Sequence, residues 1–132
     1  MTTVLFACVH NAGRSQMAAA FFNALANPER ARAISAGTEP AGRVHPEVVD
    51  AMREVGIDLE SAVPQRLTDS VARSANILVT MGCGDECPIV PGAKRLDWEL
   101  QDPKGQDLDA VRGIRDVIKD HVMSLIRAEG LQ

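Results

Sequence analysis

The chain has 132 residues, 45% hydrophobic and 24% charged, with a formal net charge of −4. That length suits a single domain spanning residues 1–132 whose core needs no staples, and the composition excludes disorder. The acidic balance excludes a global pull toward nucleic acid or an anionic membrane, so an anionic substrate must be drawn by a local site.

Met1-Thr2-Thr3 runs directly into Val4-Leu5-Phe6-Ala7-Cys8-Val9. Without a basic n-region or a long apolar core this is not a signal peptide. No apolar run approaches the roughly 20 residues that span a bilayer. A cytoplasmic location is the expectation, and disulfides there are usually catalytic or transient. Three cysteines then suit one nucleophile plus one exchangeable pair better than a secreted framework.

Val4–Val9 reads as a short buried strand. Ser15–Asn27 follows with Met17, Phe21, Phe22 and Leu25 at helical spacing, and Asn27-Pro28 ends it. Ala31–Ala36 is a weaker strand closed by Gly37. Pro46–Val55 places Val48, Val49, Met52 and Val55 on one helical face, with Gly56 as the stop. Thr68 is a candidate N-cap for a short helix reaching Ser74. Asn76–Met81 is the clearest strand, and Arg95–Leu100 a candidate fourth. From Asp107 an amphipathic helix runs to about Glu129, with Val111, Ile114, Ile118, Val122 and Ile126 as its stripe.

Strands separated by helices imply an α/β fold with a parallel sheet covered on both faces. Functional groups in such sheets gather beyond the carboxyl ends of the strands. Cys8, Cys83 and Asp102 each follow a strand and are expected on one edge. If the first and third strands are neighbours, about 4.8 Å apart, Cys8 and Cys83 come within exchange reach.

The strongest motif is Cys8-Val9-His10-Asn11-Ala12-Gly13-Arg14-Ser15, between a strand and a helix start. The residues between Cys8 and Arg14 suffice to wrap a loop around one tetrahedral anion. Gly13 relaxes the backbone where it turns into the helix. Successive N–H groups make an anion nest, the helix N-terminus adds donors, and Arg14 grips two oxygens through its planar fork. Ser15 is placed to donate to the Cys8 sulfur. These groups favour a reactive thiolate. A buried core cysteine beside a surface arginine is the bland alternative, which the strand–loop–helix context disfavours.

The second motif is Cys83-Gly84-Asp85-Glu86-Cys87-Pro88. On a helix the two cysteines would sit one turn apart, with Cα atoms about 6 Å apart, inside disulfide range. Two structural thiols are an alternative. A zinc site with a distant histidine is another, though the paired Cys-x-x-Cys spacing is absent. The third motif, Asp102-Pro103, offers either a carboxyl group to protonate a departing oxygen or an ordinary turn. His10 lies in the anion loop, while His45 and His121 read as surface residues.

Cys-x5-Arg-Ser near the N-terminus resembles the low-molecular-weight protein tyrosine phosphatase superfamily, and the string Cys8–Ala18 is similar to its arsenate reductase branch. Ser35-Ala36-Gly37-Thr38, Thr80-Met81-Gly82-Cys83, Trp98-Glu99-Leu100 and Asp102-Pro103 carry the resemblance along nearly the whole chain. It implies a four-stranded parallel sheet of order 2-1-3-4 with helices on both faces. It also implies reduction of arsenate to arsenite, with phosphate or sulfate as competing oxyanions. The substrate-binding residues would be Val9, His10, Asn11, Ala12, Gly13, Arg14 and Ser15. Cys8 would be the nucleophile, Asp102 the general acid, Cys83 the second thiol and Cys87 the resolving one, with thioredoxin as reductant. No metal or organic cofactor is implied. The spacing of Cys83 and Cys87 is narrower than in better-known members. Some members bind potassium through a glutamate where this chain has Ala19, so no strong potassium dependence is expected.

Three rivals remain at this level. A tyrosine phosphatase would use the same loop and acid. Yet the chain has no tyrosine, its Asp-Pro pair is followed by Lys104-Gly105-Gln106, and a hydrolase has no need of Cys83 and Cys87. An arsenate–mycothiol transferase needs only Cys8. A non-enzymatic oxyanion or redox sensor would show no turnover.

Overall fold

The computed structural model describes residues 1–82, 87 and 89–132. In chain order its elements are β1 (Thr2–Cys8), α1 (Arg14–Leu25), β2 (Ala31–Gly37), α2 (Pro46–Arg53), α3 (Asp69–Arg73), β3 (Ile77–Thr80), β4 (Lys94–Asp97) and α4 (Leu108–Ala128). The four strands pair in parallel in the order β2-β1-β3-β4, as expected.

Side-chain alternation along β1 explains the two layers. Val4, Phe6 and Cys8 point into the larger core, and Leu5 and Ala7 into the smaller one on the opposite face. α1, α2 and α4 cover the first face. The short α3, with Leu67 and Val71, helps cover the second. α1 is buried nearly all round, from Arg14 to Ala19 and again at Phe21 and Phe22. Its alanines let neighbouring elements approach closely. α4 behaves as its stripe predicts: Val111, Ile114, Ile118, Val122 and Ile126 are all buried.

The local stops and starts follow side-chain chemistry. Thr68 accepts from Val71 N at 3.1 Å and Asp107 from Ala110 N at 2.8 Å, so each caps its helix. α2 is shorter than its hydrophobic pattern suggests. It ends at Arg53, and Val55 is 39% exposed. The chain closes around Gly56 at φ 82°, with Gly56 N bonding Arg53 O and Ile57 N bonding Met52 O, the paired bonds of a glycine-terminated helix. β4 also stops early, at Asp97 rather than Leu100. Trp98 still donates to Thr80 O at 2.9 Å and, on the same core face as Leu96, packs against Phe6 and His121, with centroids 5.7 and 5.0 Å away.

Candidate active site

The site begins where β1 ends. Cys8 is 2% exposed, and it is the one free thiol among the described residues. Its sulfur accepts a hydrogen bond from Asn11 N at 3.2 Å and lies 2.8 Å from Ser15 Oγ. Asn11 Nδ2 donates to that same Ser15 oxygen at 2.7 Å. The contact expected between Ser15 and Cys8 is present, with either atom able to donate, and Asn11 holds the Ser15 oxygen in place.

Two residues of the loop act differently from expectation. Gly13 sits at φ −143°, outside the left-handed region. Its lack of a side chain matters for another reason: a Cβ there would lie 2.6 Å from Pro103 Cγ. The Asp102-Pro103 segment thus packs directly on the anion loop. The left-handed turn falls instead on Asn11, at φ 50° and fully buried, a conformation asparagine tolerates better than most residues. No side chain caps the first turn of α1, so the positive end of its dipole faces the loop.

Arg14 is 9% exposed. Its guanidinium is held by the Leu100 carbonyl at 3.5 Å and by Asp102 Oδ2 at 3.6 Å. Asp102 is half-exposed, and its other oxygen accepts from Lys104 N at 3.0 Å. The structure therefore brings Cys8, Arg14, Ser15 and Asp102 together. Cys87 is buried and disulfide-bonded. Cys83 lies outside the described residues.

The histidines divide. His10 Nδ1 pairs with the Glu39 carbonyl at 3.1 Å, so its ring braces the neighbouring loop. His45 is half-buried rather than a surface residue. Its N–H bonds Ala12 O at 3.0 Å, and its ring lies beside Gly13. His121 is exposed, as expected, but stacks on Trp98.

Sequence reasoning missed several supports. A Cβ on Gly37 would lie 2.5 Å from Val9 O, and one on Gly82, at φ 100°, would lie 2.5 Å from Arg14 Nη1. Both glycines stand inside segments that carry the family resemblance, which was the available signal. Beyond Gly82, Thr80, Arg95 and Asp97 line a cleft of about 460 Å³ with Trp98 and Leu100. Hydrogen bonds from Thr80, and then Arg95, hold the Asp97 carboxyl below its usual range.

A buried cysteine closing the first strand, a loop N–H and a serine on its sulfur, and an arginine tethered by Asp102 at the head of the following helix form one cluster at the edge of an α/β sheet. A family model for low molecular weight phosphotyrosine protein phosphatase matches residues 3–132, and the chain belongs to that family. Its likeness to the arsenate reductase branch is borne out. A glutaredoxin arsenate reductase of Synechocystis sp. is 35% identical, with 96% of this chain and 97% of that protein covered. The solved structure of a thioredoxin-dependent arsenate reductase of Corynebacterium glutamicum matches with TM-score 0.85 and 41% identity over 97% of this chain. This chain spans only 61% of that one's length. An arsenate reductase in the phosphate binding state matches with TM-score 0.84 and 33% identity, covering 97% and 98% of the two chains.

Proposed function

We propose that this protein reduces arsenate to arsenite with Cys8 as nucleophile and recovers its thiols through Cys83, Cys87 and an external dithiol. One observation carries the reading: Cys8 Sγ, ringed by Asn11 N and Ser15 Oγ, lies at the head of a helix whose first residue, Arg14, is tethered by Asp102. The kinship with named arsenate reductases supports the choice of oxyanion.

Arsenate enters the nest of residues 9–15 as an anion and is gripped by Arg14. Cys8 sulfur attacks arsenic, and a hydroxyl leaves as water with a proton from Asp102. Cys83 sulfur then attacks Cys8 sulfur. The S–As bonding pair passes to arsenic, which departs as arsenite, and a Cys8–Cys83 disulfide remains. Cys87 attacks Cys83, frees Cys8 and leaves a Cys83–Cys87 disulfide for the external reductant. A disulfide at Cys87 with Cys8 free supports an exchangeable pair. Thioredoxin is the reductant we assign, supported by the Corynebacterium relative. Glutaredoxin is a second reading, favoured by the Synechocystis relative. The chemistry suits a reducing, cytoplasmic setting. Among the described residues no helix is long and apolar enough to cross a membrane.

The test uses purified protein, arsenate and NADPH, with the thioredoxin, glutaredoxin and mycothiol–mycoredoxin systems in separate tubes. Turnover is expected with thioredoxin and not with Cys8→Ser. Cys87→Ser should release arsenite once and stall with Cys8 tied to Cys83, whereas Cys83→Ser should stop at the arsenic adduct. Multiple turnover by both variants would remove the relay. Turnover with mycothiol alone would make the protein a transferase, and hydrolysis of an aryl phosphate without arsenate turnover would make it a phosphatase.

A further inference from the structure

The left-handed turn at Asn11 is the hinge of the whole nest. It aims Asn11 N–H at the Cys8 sulfur (3.2 Å) and Asn11 Nδ2 at Ser15 Oγ (2.7 Å). A fully buried asparagine at φ 50° holds such a conformation only when its surroundings over-determine it. Gln65 N donates to Asn11 Oδ1 at 2.9 Å, which holds the side-chain oxygen from one side. From the other comes Gln16, on the first turn of α1 and 7% exposed. Its Nε2 donates to both Asn11 O, at 3.1 Å, and Asn11 Oδ1, at 3.2 Å. One carboxamide thus clasps the backbone and the side chain of the same residue, which fixes their relative orientation.

We infer that Gln16 is a positioning residue of the anion loop, whose amide clasp on Asn11 sets the turn that presents hydrogen-bond donors to Cys8 and Ser15. The inference rests on Cys8 being the nucleophile of the proposed reaction. It assigns Gln16 no contact with substrate. Without the clasp, two buried oxygens lose a donor, and relaxing the turn is the cheapest way to recover solvent or other partners. Asn11 N–H then swings away from the sulfur, and the nest loses its shape for an oxyanion.

The experiment is a double-mutant cycle on the full chain, read by calorimetric binding of inorganic phosphate and by arsenate kinetics. Gln16→Met fills similar space without donors. It should keep its circular dichroism, bind phosphate about tenfold more weakly, and lose kcat for arsenate by a similar factor or more. Asn11→Gly adopts positive φ at little cost and removes the side-chain half of the clasp, leaving the bond to the carbonyl of residue 11. In that background Gln16→Met should cost less phosphate affinity than in the wild type, about threefold. Unchanged phosphate binding in folded Gln16→Met would overturn the inference, as would a full tenfold loss repeated in the Asn11→Gly background. Should Gln16→Met not fold, Gln16→Leu, smaller and equally without donors, should show the same loss. Failure of both to fold would make Gln16 a core residue and nothing more. A wild type that binds phosphate and obeys the cycle, yet turns over no arsenate, would leave this inference standing and remove the proposed reaction.

Discussion

Arg14 is distinguished by what holds it in place. Its guanidinium is braced by the Leu100 carbonyl and Asp102, so its fork stays directed while the anion comes and goes. Arg14→Lys keeps the charge and loses the planar fork. Steady-state kinetics with arsenate should show kcat/KM reduced about a hundredfold, the scale for a misplaced oxyanion donor. An unchanged value would put Arg14 outside the reaction. Gly82 makes a sharper case. At φ 100°, a Cβ there would meet Arg14 Nη1 at 2.5 Å. The clash falls on the far end of a flexible side chain, so the fold can yield while the geometry of the fork cannot. Gly82→Ala should lose roughly 1–2 kcal/mol of stability to the strained φ. Its activity should fall about tenfold or more, because small misplacements of a positioning group are costly. Equal losses in melting temperature but none in kcat/KM would show that Arg14 tolerates displacement.

At the level of elements, α2 and α4 are joined by a charged clamp beside their apolar contact. Glu54, just past the end of α2, accepts from Arg112 at 2.6 and 2.9 Å and from Arg115 at 2.9 Å. Arg115, 8% exposed, also donates to the Ala51 carbonyl at 2.9 Å. Hydrogen bonds from Arg112, and then Arg115, hold the Glu54 carboxyl down to about 2 from an ordinary 4.5. A depressed carboxylate lends stability that is fully present above its unfolded pKa and is lost as pH falls through its folded one. The clamp should therefore weaken between about pH 4.5 and 2. Melting temperatures across that range should fall more steeply for wild type than for Glu54→Gln, which has no charge to lose. At neutral pH the variant should be the less stable of the two, because Arg115 keeps its burial and loses a partner. Parallel pH profiles would show that the pair is solvated and idle.

For the molecule as a whole, the folded state alone assembles the site we propose: its groups come from β1, α1 and the chain beyond β4. A ligand that binds only the folded state stabilises it by mass action, about 2.7 kcal/mol at a hundredfold excess over Kd. Phosphate or sulfate should thus raise the melting temperature by several degrees at fixed ionic strength. Arg14→Lys should blunt the shift, and Cys8→Ser should largely retain it, because in the proposed reaction the sulfur attacks and the loop binds. A shift no larger than that of matched chloride would argue against a preformed anion site.

The sequence by itself determined the layers and the loop. Period-two and period-3.6 patterns are local, so β1, α1 and α4 were legible within a residue or two, and capping by Thr68 and Asp107 could be read from side-chain chemistry. The meeting of Cys8 and Ser15 was legible too, because a strand–loop–helix of that spacing turns the chain back onto the end of its own strand. Where β4 ends was decided by tertiary structure: its partner β3 ends at Thr80, opposite Asp97, so the alternation that Leu96 and Trp98 continue on the core side has no further strand to pair with. The same holds for the glycines. Gly13, Gly37 and Gly82 are required by Pro103, Val9 and Arg14 respectively, neighbours that only the folded sheet supplies. Asn11 and Gln16 stand together in the chain, yet Asn11's buried left-handed turn, clasped by Gln16 on one side and Gln65 on the other, exists only once β1, α1 and the segment before α3 have met.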